Sequence, residues 1–295
     1  MAELARLLFW FGLASTGLAV ALHWIYQFGT RLVPEPRFAA ETSAGSMTIA
    51  RPRAPSSALR QFALLASACA FAILTGSLAA RTVADGHAPL SDMYEYSTAF
   101  AWAISGYALA FELKLRRRWP GTGALPVALV MLLVAASFPS QIEPLQPALQ
   151  NSPLLAVHVS MMVLAYSAFS IAFAASALFL VQGGKRRFES LPSGKSLDEA
   201  ASLAVMIGFP LLGFGIALGA WWANSAWGRY WGWDPKETSA LATWLLFAAY
   251  LHAHSLGRWK GKRSAWLVVA GFGAVLFTYY AVNLWVAGLH SYTGV

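Results

Sequence analysis

Trp221–Glu237 reads WWANSAWGRYWGWDPKE. Five tryptophans, Trp221, Trp222, Trp227, Trp231 and Trp233, fall within it. The run is too polar and too rich in glycine to cross a bilayer, yet apolar segments of spanning length flank it on both sides. It therefore reads as a loop, 221–237, held at a membrane surface. A loop so aromatic is either a heavy interfacial anchor, as Trp and Tyr belts are, or a platform for a flat apolar ligand.

Working outward, the 295-residue chain is 58% hydrophobic and 12% charged, where a soluble domain carries roughly 25% charged residues. Its mean hydropathy is +0.53. Segments of about 20 apolar residues cross a bilayer as helices, because lipid offers the backbone no hydrogen-bond partners. The expected fold is all-α and polytopic, with eight transmembrane helices at about 5–28, 59–80, 93–113, 121–138, 154–182, 200–222, 238–257 and 264–287. The first stretch has no basic n-region or cleavage site and reads as a retained span. Residues 29–58 are rich in Pro, Ser, Arg and Ala and read as a flexible cytoplasmic connector. The whole of 1–295 reads as one membrane domain.

The net charge of +8 does not signal nucleic acid, since the basic residues segregate by loop. Seventeen of the 21 Lys and Arg lie in alternate loops; only Arg6, Arg81, Arg229 and Lys236 fall on the other side. The positive-inside rule then puts both termini and the tryptophan loop outside. The lone cysteine, Cys69, excludes a disulfide framework or thiolate metal site and reads as a small core residue.

Topology sorts the six histidines. His158, one turn after Pro153, and His290, after the last span, fall at the outer surface. His87 lies in an outer loop. His252 is 14 residues past Thr238, ~21 Å into a core ~30 Å thick, and His23 sits at a similar inner depth. An ionisable group at that depth is a functional hypothesis by default. His254 reads as solvated near the inner surface. Each outer histidine alone is either a satisfied interfacial group or a ligand. Together, two imidazoles from different segments can supply axial ligands to one metal, with indoles covering a planar macrocycle; imidazole is a standard haem ligand. Asp234-Pro235 is a turn signal. Lys236 and Glu237 can pair, or Glu237 can favour a helix N-terminus. Arg229 can meet a propionate through fork geometry.

Four pieces carry a resemblance: GHAPLSDMYEYSTAFAW (86–102), HVSMMVLAYSAF (158–169), WGRYWGWDPKETSALATWLLFAAYLHAH (227–254) and VNLWVAGLHSYTGV (282–295). The sequence resembles the CcsA (ResC) family of system II cytochrome c biogenesis proteins, within the wider group of haem-handling membrane proteins that share a WWD motif. Its length suits that family better than the shorter CcmC or the longer CcmF. The resemblance implies that His158 and His290 ligate external haem b. Trp227, Trp231, Trp233 and Asp234 belong to the haem-embracing motif, and His252 to a transmembrane haem site whose second ligand comes from a CcsB (ResB) partner. It also implies apocytochrome c, with its CxxCH thiols, as the acceptor, and a bacterial inner membrane or a thylakoid as the location. The alternative second ligand to that site is His23, from within this chain; no ligand role is carried over to His87, which can shape the outer site. Two other readings stand beside it. One is a structural or transport subunit anchored by its tryptophans. The other is an electron carrier with two haems, the inner one between His23 and His252.

Overall fold

Long apolar runs bounded by Pro, Gly and Asp set the helices. The computed structural model describes residues 1–29, 57–114, 119–145, 149–150, 153–183, 191–257, 259–286 and 288–290. Ten α-helices are described: α1 Ala2–Phe28, α2 Ser57–Asp85, α3 Met93–Leu113, α4 Pro120–Gly123, α5 Leu125–Ala135, α6 Pro153–Gln182, α7 Gly194–Trp227, α8 Pro235–Ser255, α9 Lys262–Leu276 and α10 Val282–Trp285. A π-helical turn, Phe277–Ala281, joins α9 to α10. No described residue lies in a strand. The chain is a polytopic all-α membrane protein. The connector expected to be flexible falls almost wholly outside the described residues, as do 291–295.

Five helices are long and apolar enough to cross a bilayer: α1, α2 from Ala58, α6, α7 and the continuous Lys262–Trp285. The expected fourth span is broken in two. Pro120 opens α4, and Pro126 stands in the first turn of α5, where a missing N–H costs nothing. The 11 residues of α5 reach only ~16 Å. α3 and α8, at 21 residues each, have the length but are more polar.

The central helix is α6. Of its apolar stretch 72% is buried, against 28–44% in the other four. It packs most extensively on α7 and also meets α3, α4 and α9. Its buried positions are mostly small: Ala165, Ser167, Ala168, Ser170, Ala172, Ala174, Ala175 and Ser176. Between helices in lipid, close backbone approach through small residues replaces the hydrophobic drive. Ser167 and Ser170 donate to the carbonyls of Val163 and Tyr166 one turn back, so they bury no unpaired hydroxyl. Beside them Phe169 of α6 stacks on Phe247 of α8, centroids 3.7 Å apart. Gly208 of α7 makes room for this stack: a Cβ there meets Phe169 Cε1 at 2.6 Å and the Ala165 carbonyl at 3.0 Å. Gly208→Val is expected to lower stability by about 1–3 kcal/mol through overpacking. Gly273→Ala, with open space around its Cβ, is expected to be neutral or mildly stabilising. Thermal unfolding in detergent reads both, and equal melting points for the two variants would refute this account of the packing.

Two charged clusters mark the ends of the bundle. At one end Arg81 of α2 is buried; its Nε donates to Glu95 Oε1 (2.8 Å) and lies 2.8 Å from Asp85 Oδ2, while Nη1 donates to the Ser140 carbonyl (2.6 Å). That fastens α2, α3 and the segment after α5. The N-terminus of α1 is at this end too, since Ser77 Oγ donates to the Ala5 carbonyl. At the other end His23 is buried, 3.0 Å from Ser67 Oγ and 3.8 Å from Glu112 Oε1. Cys69, expected in the core, is exposed. α2 is a peripheral helix packed chiefly on α1, so most of its apolar surface faces outward.

Candidate functional site

The tryptophan stretch is half helix. WWANSAW contains no breaker, so α7 continues through Trp227 and stops only at Gly228, whose φ of 72° is left-handed. The loop is therefore 228–234 rather than 221–237. It closes on Trp233, the one described non-glycine residue with positive φ (56°), a conformation that costs about 1–3 kcal/mol and persists only where surroundings enforce it. Asp234 enforces it by capping α8: its Oδ1 accepts from the Lys236 N–H (2.9 Å), Pro235 takes the first helical position, and Glu237 Oε2 accepts from the N–H groups of Asp234 (3.1 Å) and Gly232 (2.9 Å). This is a capping box. Glu237 is thereby committed to the backbone and does not pair with Lys236.

The same Asp234 holds the C-terminal segment. Its Oδ2 accepts from the Leu289 N–H at 2.7 Å, and its Oδ1 accepts from His290 Nδ1 at 2.8 Å. A carboxylate can only accept, so Nδ1 carries the proton and the neutral ring's lone pair is on Nε2. His158 is held in the same tautomer by different means. Its Nδ1 donates to the Gly215 carbonyl at 2.6 Å, again leaving the lone pair on Nε2. Gly219, one turn further along α7, has no side chain where the ring lies; a Cβ there meets His158 Cε1 at 2.5 Å. A histidine ligand usually donates its other ring N–H to a carboxylate or backbone carbonyl, which fixes ring and tautomer. Both histidines have that arrangement.

His158 and His290 line one cavity. Trp222 and Trp231 are in its wall, with Met162, Tyr166, Ile216 and Tyr279 supplying further apolar or aromatic surface. The π-helical turn brings Thr278, Tyr279 and then Asn283 onto this wall. Lys236 joins them, its Nζ donating to Asn283 Oδ1 at 2.7 Å. Trp227 stands edge-on to the His290 ring at 4.8 Å, and Trp222 is 6.0 Å from it.

The other expected residues fall elsewhere. Trp233 is 69% exposed and faces a separate hollow with Thr238 and Phe277. Arg229 is exposed and packs over Gly232, outside the cavity wall. His87 lines a neighbouring cleft that shares Leu149, Leu155 and Val159 with the cavity. His252 is exposed on α8, and His23 is buried among α1, α2, α3 and α4, so the two are not brought together as an inner pair. His254, expected to be solvated, is 3.2 Å from Ser264 Oγ and 3.9 Å from Asp198 Oδ2, and so links α8 to α9 and α7. Sequence reading missed Trp222, which at a helix end looks like an anchor, and the Gly215–Gly219 seat. The spacing GFGIALG (213–219) was the available signal.

Burial opposes the charge on Asp234, but the hydrogen bonds from His290, the Lys236 N–H and the Leu289 N–H outweigh it and hold its pKa at about 2. The unfolded value is ~4. Its folded value being the lower, Asp234 contributes stability that is fully present above ~pH 4 and is lost as the pH falls toward 2. Asp234→Asn is expected to cost about 1–3 kcal/mol near neutrality, with the gap to wild type closing below ~pH 4. Thermal unfolding of both proteins across that range measures it, and a gap independent of pH would refute the ionic role.

The pattern of the family described as Cytochrome C assembly protein matches residues 90–290. CcsA of Porphyra purpurea, described as a cytochrome c biogenesis protein, is 36% identical over 282 residues, covering 80% of this chain and 88% of its own. CcsA of Gloeobacter violaceus is 34% identical over 287 residues, covering 77% and 85%. Among solved structures, cytochrome c haem lyase CcmF shares the fold with a TM-score of 0.63 at 22% identity, over 95% of this chain. The chain spans about half (46%) of that longer protein. It belongs to the CcsA family of cytochrome c biogenesis proteins.

Proposed function

We propose that the cavity between His158 and His290 takes haem b as substrate and presents it to apocytochrome c for covalent attachment. One observation carries the reading: two imidazoles, each with Nδ1 tied and the lone pair on Nε2, line a single cavity walled by Trp222 and Trp231. That donor set and that apolar wall suit an iron macrocycle. His158 and His290 would ligate the iron, and indole faces would cover the ring. Family membership puts the chain in cytochrome c maturation; in this reading the acceptor is the CxxCH segment of apocytochrome c.

The protein's share of the chemistry is positioning. Each thioether forms when a cysteine S–H adds across a haem vinyl group, with sulfur bonded to one carbon and the proton to the other, so nothing is oxidised overall. Holding the macrocycle in one orientation keeps its vinyl groups toward the incoming thiols. A CcsB (ResB)-type membrane partner completes the synthase in this reading, and the exposed His252 is available to a haem site shared with it. The charge pattern supports placing the cavity on the outer face of a bacterial inner membrane or thylakoid.

The test is spectroscopic. The full chain, purified in detergent with its CcsB-type partner, is expected to carry haem, or to take up added haem, with the visible absorption bands of a bis-imidazole complex. A preparation that carries none and binds none sinks the reading.

A further inference from the structure

We propose that Lys236 is the receptor for a carboxylate of the ligand in this cavity, so that the site selects a tetrapyrrole by its propionates as well as by its iron. The inference rests on the haem-site reading above. Lys236 projects into the cavity wall from the first turn of α8. An ammonium has three N–H donors. One goes to Asn283 Oδ1 at 2.7 Å, and the Tyr96 ring lies 6.0 Å from Nζ. Asn283 is a neutral partner, and the nearby Asp234 carboxylate acts on Lys236 only through space, without a contact ion pair.

The acidic residues beside Lys236 in sequence are engaged elsewhere. Asp234 accepts from His290, Leu289 and the Lys236 backbone. Glu237 accepts from Gly232 and Asp234. Among the described residues Lys236 makes no ion pair. Glu237 also lines the cavity, but its Oε2 is held by the two backbone N–H groups of Gly232 and Asp234. A buried cation beside a mainly apolar and aromatic wall is costly unless an anion meets it. The indoles and aliphatic side chains of that wall suit the apolar body of a ligand, and among the described residues Lys236 is the single Lys or Arg lining it, placed to meet a charged edge. Arg229, the sequence's other candidate for this role, is exposed and outside the wall.

The test uses haem b and its dimethyl ester, in which both propionates are blocked while iron and ring are unchanged. Each is titrated into the purified full-length protein and binding is followed by absorbance. Wild type is expected to prefer haem over the ester by roughly 10- to 100-fold, the range for a hydrogen bond to a charged group. Lys236→Gln, which keeps a donor for Asn283, is expected to lose that preference by weakening haem binding while binding the ester as wild type does. Equal wild-type affinity for the two ligands overturns the proposal with no variant needed. So does a Lys236→Gln protein that is folded by thermal melt and weakens both ligands alike. Wild type binding neither ligand instead overturns the haem-site reading on which the proposal rests.

Discussion

Exchanging both His158 and His290 for alanine is expected to empty the cavity of haem and to bring cytochrome c maturation down to the level of a strain lacking the protein. The two rings are held independently, His158 by a backbone carbonyl of α7 and His290 by Asp234. Loss of one should therefore leave the other in place, so each single variant is expected to keep a five-coordinate haem with a shifted spectrum and reduced affinity. Loss of even an outer partner of a metal ligand typically costs 10- to 100-fold, and loss of the ligand itself should cost at least that. Added imidazole, small enough to enter where a ring has been removed, is expected to restore part of the six-coordinate spectrum in the single variants. The fold should survive at a modest cost from the lost His290–Asp234 bond, because both rings stand in the cavity wall and the Phe169–Phe247 stack does not. Haem content, spectrum and maturation all unchanged in the double variant would leave the proposed function without a site.

Much of this arrangement was legible in the sequence, and the parts that were not share a physical cause. Apolar length is a one-dimensional signal, and it marked Met93–Leu113 and, nearly, Pro153–Gln182. Which face of a helix turns inward is another matter in lipid. The exterior is as apolar as the interior, so hydropathy carries little period. Hence the exposure of Cys69 and the centrality of α6 could not be read. Local backbone chemistry was only half visible. Asp-Pro announced a helix start, but not that the cap would also orient His290 from 56 residues away. Charge type was visible and direction was not: Arg229 and Lys236 are both basic residues near the loop, yet only Lys236 lines the cavity.

Gly219→Ala separates the site from the scaffold, because it is expected to disable the one and leave the other nearly as stable. Gly219 lies within α7, where alanine is favoured over glycine by about 1 kcal/mol. That term alone favours the folded scaffold. The added methyl, however, falls 2.5 Å from His158 Cε1, 2.8 Å from Nδ1 and 3.2 Å from Nε2. The ring cannot swing aside and stay as it is, since its Nδ1–H is bound to the Gly215 carbonyl one turn away at 2.6 Å. To clear the methyl it must give up that bond, and with it the tautomer and the heading of Nε2. The gain in helix propensity and the loss of the His158–Gly215 bond largely offset each other, so the variant is expected to melt near the wild-type temperature while its haem spectrum and maturation activity fall toward those of His158→Ala. Melting and haem titration on one preparation separate the cases. Wild-type haem binding in Gly219→Ala would mean that the seat on α7 does not aim His158. A markedly lowered melting point together with lost binding would mean that the ring is part of the packing rather than a group the helix holds ready for a ligand.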